Sequence, residues 1–200
     1  MPSEWTRARL LRFVLGFALI FGLLIAPWPG WNGAYGSYFR GFGNWALSFG
    51  DDRRFVELAP AVADPRGLDT QIRLANRTLL DSEGRGKIVH TDIDSRAIGW
   101  LPTALTLALI GATPISWRRR AWALLGGLVL IHVFLAFTLL TWVWNNAASV
   151  SLSDPSPWMK QVLDELNYTL MTQIGASFTV PVIIWVLVTF RRQDAPAEGS

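Results

Sequence analysis

The sequence predicts a membrane α-helical protein: four transmembrane helices with a small extracytoplasmic antiparallel β-rich insertion between helices 1 and 2. Three observations carry that expectation. Phe13 to Trp28, Trp100 to Trp117, Ala121 to Trp144 and Gln173 to Phe190 are apolar runs about as long as a bilayer-spanning helix, roughly 17–25 residues. Lysine and arginine gather at the ends of those runs that would share one side of a membrane. Between the first two runs the apolar period shortens from that of a helix to that of a strand.

At 51% hydrophobic and 16% charged residues, the 200-residue chain has an average composition that a soluble protein could share, so the arrangement decides. Ala121 to Trp144 holds no Asp, Glu, Lys or Arg, and its only ionisable group is His132. A soluble core helix rarely stays apolar on every face for that long. Phe13 to Trp28 leads into Pro29 and a Trp/Gly/Tyr-rich stretch with no small-x-small cleavage site, which makes it a retained anchor.

Arg7, Arg9 and Arg12 precede the first span, Arg118 to Arg120 join the second to the third, and Arg191 and Arg192 follow the fourth. The positive-inside rule places these flanks, and both termini, in the cytoplasm. Acidic and basic residues nearly balance from Pro29 to Gly99, and Asn145 to Thr172 sets Lys160 against Asp154, Asp164 and Glu165, as outer loops allow. The segments are then 1–28, 29–99, 100–144, 145–172 and 173–200. The net charge of +3 is accounted for by the juxtamembrane arginines, so no nucleic-acid partner is implied. Without a cysteine the chain has no disulfide, thiolate nucleophile or Cys-based metal site.

After the first span, Tyr35, Tyr38, Phe39, Phe42, Trp45, Ala46 and Phe49 recur at helical steps and form an aromatic stripe. Such a stripe suits a helix along the outer membrane face or continuing the first span, or a docking surface for a membrane partner. Gly36, Gly41 and Gly43 weaken the helix, each by about 1 kcal/mol relative to Ala. Beyond Asp51, Leu68, Thr70, Ile72 and Leu74 alternate with Asp69, Gln71 and Arg73, the period of a strand. Arg53 to Leu58 and Lys87 to Ser95 are two further strands, separated by turn-forming Asp64–Gly67 and Asp81–Gly86. Three such strands bury too little to stand alone, so the sheet should rest on the aromatic segment, the membrane or a partner.

In the second outer loop, Ser156-Pro157 reads as an N-cap with proline at the first helical position. Met159, Val162, Leu163, Leu166 and Leu170 then give one face of a short amphipathic helix. Pro181, near the middle of the fourth span, should kink it.

His132 is the one ionisable group inside an expected span and reads either as a hydrogen-bonded neutral imidazole or as a functional group. No second ionisable residue at that depth completes a relay. His90 lies near Asp92 and Asp94 on a strand, where a metal would need further converging ligands. Ser149, Ser151, Ser153 and Asp154 have no histidine nearby in sequence, and Gly41-x-Gly43 lacks a phosphate-loop context. Gly126 and Gly127 suit close helix packing. No catalytic, cofactor-binding or metal-binding residues are expected.

Gly99-Trp100-Leu101-Pro102-Thr103-Ala104 opens the second span, and Ala112-Thr113-Pro114-Ile115-Ser116-Trp117-Arg118-Arg119-Arg120 closes it in a tight basic turn. That turn makes the second and third spans an antiparallel hairpin. Together with Asp69 to Leu74, these stretches resemble the exosortase H-associated membrane protein family, small multi-span proteins of bacterial envelope protein sorting, over roughly Arg53 to Phe137. The resemblance implies an accessory role at the bacterial inner membrane beside an exosortase-like membrane transpeptidase, and it carries over no catalytic residue.

The expectation is therefore a non-catalytic accessory protein whose partners are the lipid bilayer and such a transpeptidase. Tyr38, Phe42, Trp45 and Arg96 would form the partner surface, with Trp100 and Pro102 fixing the second span. The alternative is a small oligomeric transporter or channel component in which His132, Asn145 and the Pro181 kink line a polar path.

Overall fold

The computed structural model describes residues 4–49, 52–62, 67–79, 86–172 and 174–190. It is mostly helical with one small antiparallel sheet. In chain order the elements are α1 (Glu4–Ile25), α2 (Trp31–Leu47), β1 (Arg54–Pro60), β2 (Thr70–Asn76), β3 (Ile88–Ile93), α3 (Leu101–Ala112), α4 (Trp117–Ala147), α5 (Pro157–Asn167) and α6 (Ile174–Thr189). They divide into two compact units: the described parts of 1–26, 101–133 and 177–200, and those of 27–100 and 134–176. Helix α4 contributes its first half to one and its second half to the other.

The first unit is all helix, and α3 is its buried element. Ala104, Leu105, Ala108, Leu109 and Ile110 are all inaccessible or nearly so. The buried hydroxyls of Thr106 and Thr113 donate to the Pro102 and Leu109 carbonyls at 2.8 and 2.7 Å, so no polar group there lacks an acceptor. Gly127 lets α4 approach α3 closely, because a Cβ there would stand 2.6 Å from Ile110 Cδ1. Around this centre the exterior is apolar: Leu11, Leu15, Leu19 and Leu23 of α1, Leu125 and Val129 of α4, and Ile183 and Leu187 of α6 are exposed. Exposed apolar area of this kind costs roughly 25 cal/mol per Å² in water and nothing comparable in hydrocarbon.

Two helices, Arg7–Ile25 and Trp117–Val150, are long and apolar enough to cross a membrane. The consecutive α5 and α6 add a third if taken as one bent span. The apolar helix Arg96–Ala112 is shorter than those spans and ends before Pro114, the proline expected to close it. Pro114 has no N–H for the Ile110 carbonyl and disfavours helical geometry at Thr113, which ends α3. One correction concerns the basic turn. The chain bends at 113–116, and Arg118 to Arg120 already lie in the first turn of α4, where Arg120 N–H bonds Ser116 O at 2.9 Å. At 31 residues α4 is about 46 Å long, well beyond a roughly 30 Å hydrocarbon core. Helix α6 continues through Pro181.

The second unit contains the expected meander, in the order β1-β2-β3. Its register sets Leu58 opposite Ile72 and Val56 opposite Leu74, and pairs Ile72 with Thr91. The inner face packs Leu58, Ile72, Leu74 and Ile93 against Tyr35, Phe39 and Leu47 of α2 and against Leu139, Trp142 and Val143 of α4. The sheet thus rests on α2 and on the second half of α4. Pro60 ends β1, an edge strand where a missing N–H is tolerated. The outer face is polar, with Arg73 3.4 Å from Glu57 and Gln71 donating to Asp92 at 2.8 Å. Helix α5 starts at the expected place, with Ser156 at the N-cap position and Pro157 first in the helix, although the Ser156 hydroxyl makes no capping bond.

Candidate functional site

Helix α2 carries two aromatic faces, and only one of them is used inside the fold. Tyr35, Gly36, Phe39, Gly43 and Leu47 are buried toward the sheet. Tyr38, Phe42, Trp45 and the following Phe49 lie about a third of a turn around the helix and form a continuous outer strip. Tyr38 stacks on Phe42 at 6.5 Å, Phe42 meets Trp45 at 6.1 Å, and Trp45 meets Phe49 edge-on at 5.8 Å. Tyr38 is 51% exposed, Trp45 62% and Phe49 65%.

Several contacts hold this strip rigidly in place. Asn44 binds the backbone of Leu58 in both directions, accepting its N–H at 2.7 Å and donating to its carbonyl at 3.1 Å. Arg54 donates to the Leu47 carbonyl at 2.8 Å and to that of Phe49, closing the C-terminal end of α2 with a positive charge. Arg40 turns inward, donating to Ser37 Oγ at 3.1 Å, to the Asp69 carbonyl at 3.3 Å and to Thr70 Oγ1 at 3.4 Å. Gly36 leaves room for the Asp69 carboxylate, which a Cβ there would meet at 2.5 Å. Asp69 in turn accepts Ser95 N–H at 2.8 Å and Ser95 Oγ–H at 2.6 Å. The sequence reading missed this lock, because Asp69 and Ser95 are 26 positions apart and each looks like an ordinary polar end of a strand.

Tyr38, Phe42 and Trp45 therefore come together, as their spacing of four and three positions indicated. Arg96 opens the π-helical turn Arg96–Trp100, whose Gly99 packs on the inner residues Tyr35 and Phe39. Burial of part of its ring raises the Tyr38 phenol above its usual value.

His132 lies in the first half of α4, half-buried, with Nδ1 2.7 Å from the Leu128 carbonyl one turn back. An imidazole N–H at Nδ1 would donate to that carbonyl. Asn145, thirteen positions farther along α4, belongs to the second unit. Among the described residues no group of three or more His, Cys, Asp or Glu is placed to hold a metal ion. Asn76, the first residue of an Asn-Arg-Thr triplet, is buried and bonded to Ser151 O and to Thr78, which shields its amide.

Compared with family models, curated proteins and solved structures, the chain finds no match in any of the three.

Proposed function

We propose that this protein is a non-catalytic accessory subunit of the bacterial inner membrane that docks a membrane partner on the outer strip of α2. In this reading α1, the Arg96–Ala112 helix, α4 and α6 all cross the bilayer, with both termini cytoplasmic. The alternation of arginine-rich ends supports that topology. The short α3 is compatible with it, because a helix sheathed by its neighbours needs no full-length lipid-facing surface.

The observation that carries the docking role is the strip itself, a row of rings in contact on a braced helix, with Tyr38, Trp45 and Phe49 exposed and Phe42 half-buried. Exposed Trp and Tyr in contact are the side chains that dominate binding at protein interfaces. A helix that binds lipid headgroups usually carries several Lys or Arg on its polar face. Helix α2 has one, Arg40, and that guanidinium is bonded inward. The resemblance of the Gly99–Ala104 and Ala112–Arg120 stretches makes an exosortase-like transpeptidase the partner proposed.

The test is affinity purification of the full chain from its native membrane in mild detergent, with mass spectrometry of the stoichiometric eluate. A membrane transpeptidase should co-elute with the wild type and be lost from a Tyr38→Ala/Phe42→Ala/Trp45→Ala variant of unchanged melting temperature. Retention of the same partner by that variant would refute the assignment of the surface. Recovery of the wild type alone, as a homo-oligomer, would refute the accessory reading.

A further inference from the structure

The first turn of α4 sets Arg118, Arg119 and Arg120 side by side, and no Asp or Glu occurs in 101–133 or 177–190. Two of them reach helix C-terminal carbonyls. Arg120 Nη2 donates to Thr113 O at 3.0 Å, just beyond α3, and Arg119 Nη2 donates to Thr189 O at the end of α6. Those carbonyls carry the negative ends of helix dipoles, but only as partial charges. Arg118 is exposed and has no hydrogen-bond or ion-pair partner among the described residues. The positive end of the α4 dipole adds to the excess, and the first turn contains no acidic residue to offset it.

These charges border a cleft of about 430 Å³. One wall is Ser116, Arg118, Arg119 and Trp122, and the other is the aliphatic pair Leu187 and Val188 of α6. That volume lies within the usual range for small-ligand sites, about 300–1,000 Å³. Trp117 and Trp122 flank it, both more than 70% exposed, as indoles at the headgroup level of a bilayer are.

We infer that this cleft binds the phosphodiester head of an anionic membrane phospholipid. Arg118, Arg119 and the Ser116 hydroxyl meet the phosphate oxygens, while Leu187, Val188 and the Trp122 ring cover the glycerol and the first acyl methylenes. Guanidinium geometry suits phosphate oxygens, and a polar rim with an apolar wall matches the boundary between headgroup and chain. Free phosphate shares the oxygen chemistry but leaves the apolar wall uncovered, so the lipid is the source the cleft fits. The inference rests on the membrane placement proposed above and is independent of the protein partner.

The test is native mass spectrometry of the full detergent-purified chain titrated with phosphatidylglycerol or phosphatidylcholine. Wild type should retain phosphatidylglycerol about tenfold better, and Arg118→Gln should erase most of that preference. Arg12→Gln, which removes an exposed α1 arginine that does not line the cleft, should keep it. Equal retention of both lipids by the wild type would overturn the site, as would equal loss in Arg12→Gln and Arg118→Gln. Displacement of phosphatidylglycerol by equimolar inorganic phosphate would overturn the lipid as its ligand. Extraction of the protein into buffer without detergent would instead overturn the membrane placement, which separates the two failures.

Discussion

Asn44 completes the edge of the sheet at Leu58. Its side-chain amide accepts the Leu58 N–H at 2.7 Å and returns a hydrogen bond to the Leu58 carbonyl at 3.1 Å, the pair of bonds a neighbouring strand residue would make. One side chain thereby ties α2 to the exposed edge of β1, and a strand edge otherwise invites unwanted pairing.

Removing that clamp should loosen α2 from the sheet. Asn44→Ala leaves both Leu58 backbone groups without their partner, at a cost of about 1–3 kcal/mol. Asn44→Asp keeps the shape but cannot donate, so it should be destabilised as well. Thermal unfolding in detergent, followed by circular dichroism, checks both variants. A melting temperature equal to that of the wild type would show that water replaces the amide at no cost.

Gly99 and Gly41 should respond in opposite ways to a methyl group. A Cβ at Gly99 would lie 2.5 Å from the Tyr35 hydroxyl and 2.9 Å from the Phe39 ring, and Phe39 is fully buried. Overpacking of this kind costs about 1–3 kcal/mol. A Cβ at Gly41, on the exposed side of α2, meets nothing within 4 Å. Gly41→Ala should stabilise the helix by up to about 1 kcal/mol. The same melting experiment on the two alanine variants reads the sign of each change.

Trp185 and Thr113 join α6 to the end of α3, the indole N–H donating to the hydroxyl at 2.8 Å while that hydroxyl donates to Leu109 O. In the bilayer placement proposed above, the alternative is an unpaired indole. Thr113→Val and Trp185→Phe should each destabilise, and the double variant should lose less than their sum. The coupling expected is about 0.6 kcal/mol and no more than about 1.7 kcal/mol, the range known for hydrogen bonds between membrane helices. A double-mutant cycle of unfolding free energies measures it, and strict additivity would exclude a working bond.

The Tyr38 phenol should titrate above its usual value of 10.0, because partial burial disfavours the phenolate. A raised folded-state value favours the protonated fold. The stability tied to this group is therefore complete below pH 10.0 and is lost as pH rises through the raised value. The difference in ultraviolet absorbance titration between wild type and Tyr38→Phe isolates this phenol from Tyr35 and Tyr168. A midpoint at or below 10.0 would mean that the ring is fully solvated.

Local pattern and proline chemistry made the elements legible. The step of three and four from Tyr35 to Phe49 marked α2, the alternation from Leu68 to Leu74 marked β2, and Ser156-Pro157 marked the start of α5. Hydropathy marked α1 and α4 as long apolar helices. After Trp100 hydropathy alone runs on to Trp117, and Pro102 and Pro114 frame the helix that forms, because Pro114 cannot donate a helical hydrogen bond.

By itself the sequence determined which residues are apolar on one face, which are apolar all round, and where the backbone must turn. Those properties depend on neighbours a few positions away along the chain. Only the tertiary structure decided that Phe134 to Val150 shares a compact unit with the sheet, that Tyr35 and Phe39 go inward while Tyr38 and Trp45 stay out, and that Asp69 finds Ser95. The physical reason is burial. Three short strands enclose too little apolar area to fold by themselves, so the sheet takes its second wall from a helix half more than 40 positions away, and no local period records that choice.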